Sequence, residues 1–146
     1  MKEKLPQASL KFKASKIDRF VFQNPSNVHD YVRKMFDKDT LEYSESFVVV
    51  YLNRANETIA WTHLSSGGLN SCEVDSRKIF MNAILSGASG IVLAHNHPSG
   101  KLKASTEDIS ITSKIKQGCA LFNIALIDHL IITSESYLSM ADEGLI

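Results

Sequence analysis

The run Phe47-Val48-Val49-Val50-Tyr51-Leu52 is apolar at every position. A half-exposed strand alternates apolar and polar residues, because successive side chains point to opposite faces. A strand that is apolar on both faces has to be covered on both, so this run implies the middle of a sheet with layers packed above and below it. The rest of the chain supplies those layers. Val28, Tyr31, Val32, Met35 and Phe36 recur at helical spacing after a polar start at Asn24-Pro25-Ser26-Asn27, which predicts a first helix with one buried stripe. Asp75 is placed to cap a second helix with Ile79, Phe80, Ala83 and Ile84 on its inner face and Gly87 at its end. Ser105 opens a third, with Ile111, Ile115, Cys119 and Phe122 inward. Further strands are expected at Thr58–Leu64 (Ile59 and Trp61 on one side), Gly90–Ala94, Ile124–Ile127 and Leu130–Ile132. Strands alternate with helices, so the expected class is α/β, a mixed sheet flanked by helices in a single domain.

Composition excludes several classes. The chain has 146 residues, and its 16 basic and 16 acidic side chains cancel, so net charge offers no reason to expect nucleic-acid binding. Basic residues do gather at one end: Lys2, Lys4, Lys11, Lys13, Lys16 and Arg19 face only Glu3 and Asp18. Residues 1–23 therefore read as a basic N-terminal extension and residues 24–146 as the domain. The extension lacks interleaved aromatics for stacking on bases. It reads as a solvated tail or lysine-guarded edge strand, and a nucleic-acid-binding arm is the less favoured reading of the same stretch. Cys72 and Cys119 form no close pair, which argues against a cysteine zinc site and suits a reducing compartment. Residues 1–19 are too polar for the apolar core of a signal peptide, and no stretch is long and apolar enough for a membrane, so a cytoplasmic location is expected. Ser65-Ser66-Gly67-Gly68 reads as a bend or groove wall, since no lysine-bearing phosphate loop accompanies it.

The segment Ala94-His95-Asn96-His97-Pro98-Ser99-Gly100 carries the chemistry. Two histidines at i and i+2 on extended backbone point to the same face, so their rings can converge on one metal. Pro98-Ser99-Gly100 stops the strand at once, which leaves both rings at its C-terminal rim, where α/β sheets bind ligands. Asp108 follows at the first turn of the third helix, after a loop long enough to bring its carboxylate back. Two imidazoles and one carboxylate make three ligands for one tetrahedral zinc per chain, with the fourth position open to a water whose pKa zinc lowers to about 7. Glu45, just before the buried run at Phe47, is the candidate general base, since partial desolvation there raises a carboxyl pKa. Each piece has a bland reading. The histidines can be hydrogen-bonded at a strand end, Glu45 can be a surface charge, and Ser105-Thr106-Glu107-Asp108 also has the form of a capping box. The combination favours the metal, and a metal-engaged Asp108 is not expected to complete the box. His129 reads as a hydrogen-bonded core histidine beside Asp128, His63 as structural or groove-lining near Trp61, and Cys119 as core.

His95-x-His97, ten further residues and Asp108, with Ser105 three positions before the aspartate and Glu45 upstream, resembles the JAMM signature of the JAB/MPN superfamily. His95-Asn96-His97-Pro98-Ser99-Gly100, the stretch Leu126–Ile132 and the ending Ala141–Leu145 resemble its RadC branch, and the likeness runs from Asn24 to Ile146. The resemblance implies a curved mixed sheet flanked by helices with zinc at the rim. It also implies a metalloprotease or isopeptidase type of amidohydrolase acting on a peptide or protein, with Ser105 stabilising an oxyanion. The alternative is a DNA-repair-associated or protein-interaction module without hydrolytic activity. Two features depart from the pattern. Long RadC proteins carry a helix-hairpin-helix DNA-binding region, for which residues 1–23 are expected to be too short and too poor in glycine, and Ala104 stands where the family tends to have proline.

Overall fold

The computed structural model describes residues 19–66 and 74–146. Cys72, the Gly67-Gly68 pair and the basic stretch before Arg19 lie outside the described residues.

The doubly apolar run becomes β1 (Ser46–Leu52), inside a sheet with β2 (Thr58–Ser66) on one side and β3 (Gly90–Asn96) on the other. Beyond β3 lie β4 (Ala125–Ile132) and a short β5 (Tyr137–Ser139), giving the order β2-β1-β3-β4-β5. β1 is antiparallel to both neighbours, β3 and β4 are parallel, and β5 returns antiparallel to β4. The sheet is therefore mixed, as the sequence implies. A parallel pair needs a long crossover, and α3 (Thr106–Leu121) supplies it between β3 and β4.

Side-chain alternation divides the core in two. Val48, Val50, Val92 and Ala94 face α1 (Pro25–Val32) and its Val28 and Val32. Val49, Tyr51, Ile91 and Leu93 face α2 (Ser76–Ser86) and α3 through Ile79, Ala83, Ile115 and Cys119. Helices cover both faces of the sheet, which is why the runs Phe47–Leu52 of β1 and Gly90–Ala94 of β3 can be apolar. Asp75 caps α2 by accepting from the Arg77 N–H, and Gly87 ends it with φ 68°, a left-handed value that suits glycine. Among the described residues no helix is long and apolar enough to cross a membrane.

Local expectations shift where the backbone does. α1 stops at Val32 and runs on as one 3-10 turn, Arg33–Met35, before the buried Phe36. Ile84 and Phe122 are exposed rather than inward. A bulge in β2 sets Thr58 opposite Leu52 and Ala60 opposite Tyr51, so Ile59 packs on the α2/α3 side while Trp61, opposite Val50, is exposed. The two strands expected between Ile124 and Ile132 are one. Its register slips between Ile91 and Val92, pairing Leu126 and then Asp128, so Ile127 is passed over and Asp128 and His129 are buried. Residues 20–22 lie along the start of β2, with Thr58 N–H donating to the Phe20 carbonyl and Phe22 N–H to that of Asn56.

Leu93 is fully buried in the α2/α3-side core, whereas Leu121 at the end of α3 is exposed. Leu93→Ala should cost about 2–5 kcal/mol of unfolding free energy in urea titrations. Leu121→Ala should stay within about 0.5 kcal/mol of the parent. Equal losses at the two positions would contradict this core.

Candidate metal centre

At the end of β3 alternation separates three neighbouring side chains. His95 and His97 turn to the α3 face, and Asn96 turns to the other. His95 is buried, and its Nε2 lies 2.9 Å from His97 Nε2. Asp108, on the first turn of α3, brings Oδ1 to 3.0 Å from His95 Nε2 and Oδ2 to 3.3 Å from His97 Nε2. Glu45 Oε1 completes the group at 3.9 Å from His95 Nε2. One ligand atom from each of Glu45, His95, His97 and Asp108 lies within 4.8 Å of every other. The structure thus brings together the residues that the sequence singled out around the His-x-His pair.

Asn96 is a residue that sequence reasoning passed over. Its Nδ2 donates to the carbonyls of Leu41 (2.7 Å) and Ser44 (2.9 Å), and its Oδ1 accepts the Ser46 N–H (2.7 Å). The turn carrying Glu45 is pinned to the strand carrying the histidines. The signal for it was a buried amide in an otherwise apolar strand, since such groups are almost always bonded.

The capping box forms, contrary to expectation. The Ser105 N–H donates to Asp108 Oδ2 (2.7 Å), and the Asp108 N–H donates to Ser105 Oγ (3.0 Å). A carboxylate has lone pairs enough on two oxygens to cap α3 and face the histidines at once. In that box the Ser105 oxygen accepts, which leaves its own proton to donate. His129 is a hydrogen-bonded core histidine, as the sequence implies, and its Nε2 lies 2.8 Å from His95 Nδ1. His63 is exposed on β2, away from the groove, and Cys119 is buried, with burial raising its thiol to about 11.

These donors fit a divalent cation. His97 Nδ1 lies 2.8 Å from the Lys101 carbonyl, which can only accept, so a neutral His97 keeps its proton there and presents a bare Nε2 to the cluster. Imidazole nitrogens and carboxylate oxygens at such distances are suited to sharing a cation, either a metal ion or, without one, a proton held on an imidazole. Above the cluster opens a groove of about 890 Å³, whose lining includes Phe47, Pro98, Lys101, Lys103, Ser105 and Glu107.

The model of the RadC-like JAB domain matches residues 22–145. The chain belongs to the RadC-like JAB family. It is similar to a UPF0758 protein of Aquifex aeolicus, 32% identical over 142 residues that cover 97% of this chain and 59% of that protein. A UPF0758 protein of Flavobacterium johnsoniae is 44% identical over 101 residues, covering 69% of this chain and 44% of that protein. The chain thus spans about half the length of these relatives.

Within this RadC-like domain burial and charge compete at each carboxylate. Burial raises Glu45 above its ordinary value and outweighs the neighbouring His95 and His97, which pull it down. Burial also pushes Asp108 up, but the two imidazoles beside it and the Ser105 N–H prevail and hold it well below the usual carboxylate range. His97 is raised above 6.5, chiefly by its hydrogen bond to Asp108, against the lowering effect of burial.

The sign of a pH dependence follows. A histidine raised on folding stabilises the protein fully below its unfolded pKa, and that contribution is lost as pH rises through the folded value. Without metal, the His97 contribution to thermal stability should therefore fade as pH climbs from about 6.5 through the neutral range, whereas the buried His129, held well below its ordinary value by desolvation, lowers stability as pH falls below about 6.5. With zinc the same climb should strengthen binding, because the ligand must be deprotonated. His97→Gln should flatten the metal-free slope. A slope identical to that of the parent would assign the pH dependence to other groups.

Proposed function

We propose that this chain is a zinc-dependent hydrolase of peptide or isopeptide-type amide bonds, binding one zinc through His95, His97 and Asp108. Glu45 is its general base, and Ser105 is the donor to the oxyanion. The observation that carries this reading is the convergence of two imidazoles and two carboxylates, from three separate segments, at the foot of an open groove. Three nitrogen and oxygen ligands with one position left free is the donor set of a catalytic rather than a structural zinc site. When bound, zinc supplies a Lewis acid and lowers the pKa of water to about 7.

The chain's own groups do the rest. Glu45 is only partly buried and is raised by that burial, which suits a group that takes a proton and returns it to a leaving amine. Asn96 keeps it within reach of the histidines. The Ser105 hydroxyl borders the same groove, with its proton free of the capping bond. An extended peptide or protein segment is the substrate class that an open, mixed polar and apolar groove suits, and Lys101, Lys103 and Glu107 would meet its polar groups. A cytoplasmic site of action goes with this reading, in keeping with the free thiol of Cys119.

Elemental analysis should find one zinc per chain after metal loading. His97→Ala should lose it, whereas Glu45→Gln should keep it and lose cleavage of a peptide library. Full cleavage by the glutamine variant would remove Glu45 from the base role. Zinc uptake with no cleavage of any peptide or isopeptide probe by the parent would favour a binding module, whether for DNA repair or for protein interaction.

Ser105→Ala separates capping from catalysis. Loss of the cap should cost about 1 kcal/mol of stability. Loss of the donor should lower turnover on the order of a hundredfold with zinc still bound. Stability and single-turnover rate measured on the same variant decide it, and an unchanged rate would leave Ser105 a helix cap alone.

A further inference from the structure

A column of buried groups runs inward from the cluster. His95 Nδ1 lies 2.8 Å from His129 Nε2. His129 Nδ1 lies 2.6 Å from Thr112 Oγ1, which lies 2.5 Å from the main-chain oxygen of Asp108. His129 is 0% and Thr112 1% exposed, so protein atoms alone decide where the protons sit.

The protons can be counted. Two oxygens 2.5 Å apart repel unless a proton lies between them, and a carbonyl has none to give. The Thr112 hydroxyl therefore donates its only proton to the Asp108 carbonyl, the usual partner of a helical threonine one turn on. Met140 Sδ, at 3.7 Å, is the weaker competitor for it. The Thr112 oxygen can then only accept, so His129 carries its proton on Nδ1. A neutral imidazole has one N–H, which leaves His129 Nε2 bare and makes it the acceptor for His95 Nδ1–H. The Asp128 carboxylate does not disturb this. It is occupied by the His129 main-chain N–H, the Ser139 hydroxyl and the Ala141 N–H.

We propose that Thr112 and His129 are positioning residues that lock His95 in the Nδ1–H tautomer and aim its bare Nε2 at the metal. His97 reaches the same tautomer by a different route, through the Lys101 carbonyl of a surface loop. For His95 the control comes from the core and ends on the backbone of Asp108, so one turn of α3 supplies both a carboxylate ligand and the anchor of the relay. This inference rests on the zinc reading for its purpose but not for its proton arrangement.

Long-range 1H–15N NMR on the metal-free full chain at about pH 8, above the ordinary histidine range, reads the tautomers directly. His95 and His129 should both appear protonated on Nδ1. His95 protonated on Nε2 and bare at Nδ1 would overturn the proposal, whatever the variants do. Thr112→Val removes the hydroxyl at nearly constant shape, and Thr112→Ser restores it. By competition with a chelator the valine variant should bind zinc about 10- to 100-fold more weakly, the range expected when a partner behind a ligand is lost. The serine variant should stay close to the parent. A folded valine variant with parental zinc affinity would sink the idea. A parent that takes up no zinc but shows both Nδ1–H tautomers would refute the zinc reading and support the lock.

Discussion

Antiparallel pairing of β1 with β3 places Phe47 opposite His95 and Val48 opposite Ala94. Every element of the site takes its position from that register. His95 sits at the last turn of alternation before the strand stops, and Asn96 takes the opposite face. The face with His95 looks toward α3 and finds Asp108. The face with Asn96 looks toward the turn before β1 and grips it by three hydrogen bonds. A slip of one residue would exchange these faces, sending the imidazole into the α1-side core and the amide toward the carboxylates. The apolar packing on both sides of β1 and β3 makes such a slip prohibitive, so the core that stabilises the fold also sets the geometry of the cluster.

Two carboxylates and two imidazoles brought together at the edge of an apolar core need compensation, because burying unpaired charge is costly. The structure spreads that compensation. Asp108 is held ionised by the imidazoles and by the main-chain N–H of Ser105. Glu45 lies further out and is only partly desolvated, which leaves it closer to neutrality. Two acids a few ångströms apart thus have different proton affinities, as the proposed division of roles between them requires. Among the described residues no buried side-chain nitrogen or oxygen lacks a partner, so the polar network is complete down to the His129–Thr112 column.

Much of the site was legible in the chain itself. The i, i+2 spacing of His95 and His97 on extended backbone is a local property, and alternation alone makes the two rings converge. The doubly apolar run Phe47–Leu52 demanded cover on both faces, and covering helices are found there. Capping residues, which act within one turn, marked the starts of α2 and α3. The capping box was also visible, but the inference that metal engagement would exclude it failed, because it treated the Asp108 carboxylate as one acceptor rather than two oxygens.

What lay beyond the sequence depends on contacts between distant segments. That Asn96 would hold Leu41, Ser44 and Ser46, some fifty positions earlier, follows only from the edge of β1 lying beside β3. The single strand β4, with Ile127 passed over, depends on its parallel register with β3, and that register buries Asp128 and His129. The partnership of His129 with His95 and Thr112 joins two strands and a helix. The sequence by itself determined which residues had the chemistry to bind a metal and which backbone would hold the two histidines, because strand alternation and helix capping act over a few residues. Only the tertiary structure decided how Glu45 and Asp108 reach those histidines and which nitrogen of each ring faces them, because hydrogen bonds between remote segments exist only once the sheet has closed and α3 has packed on it.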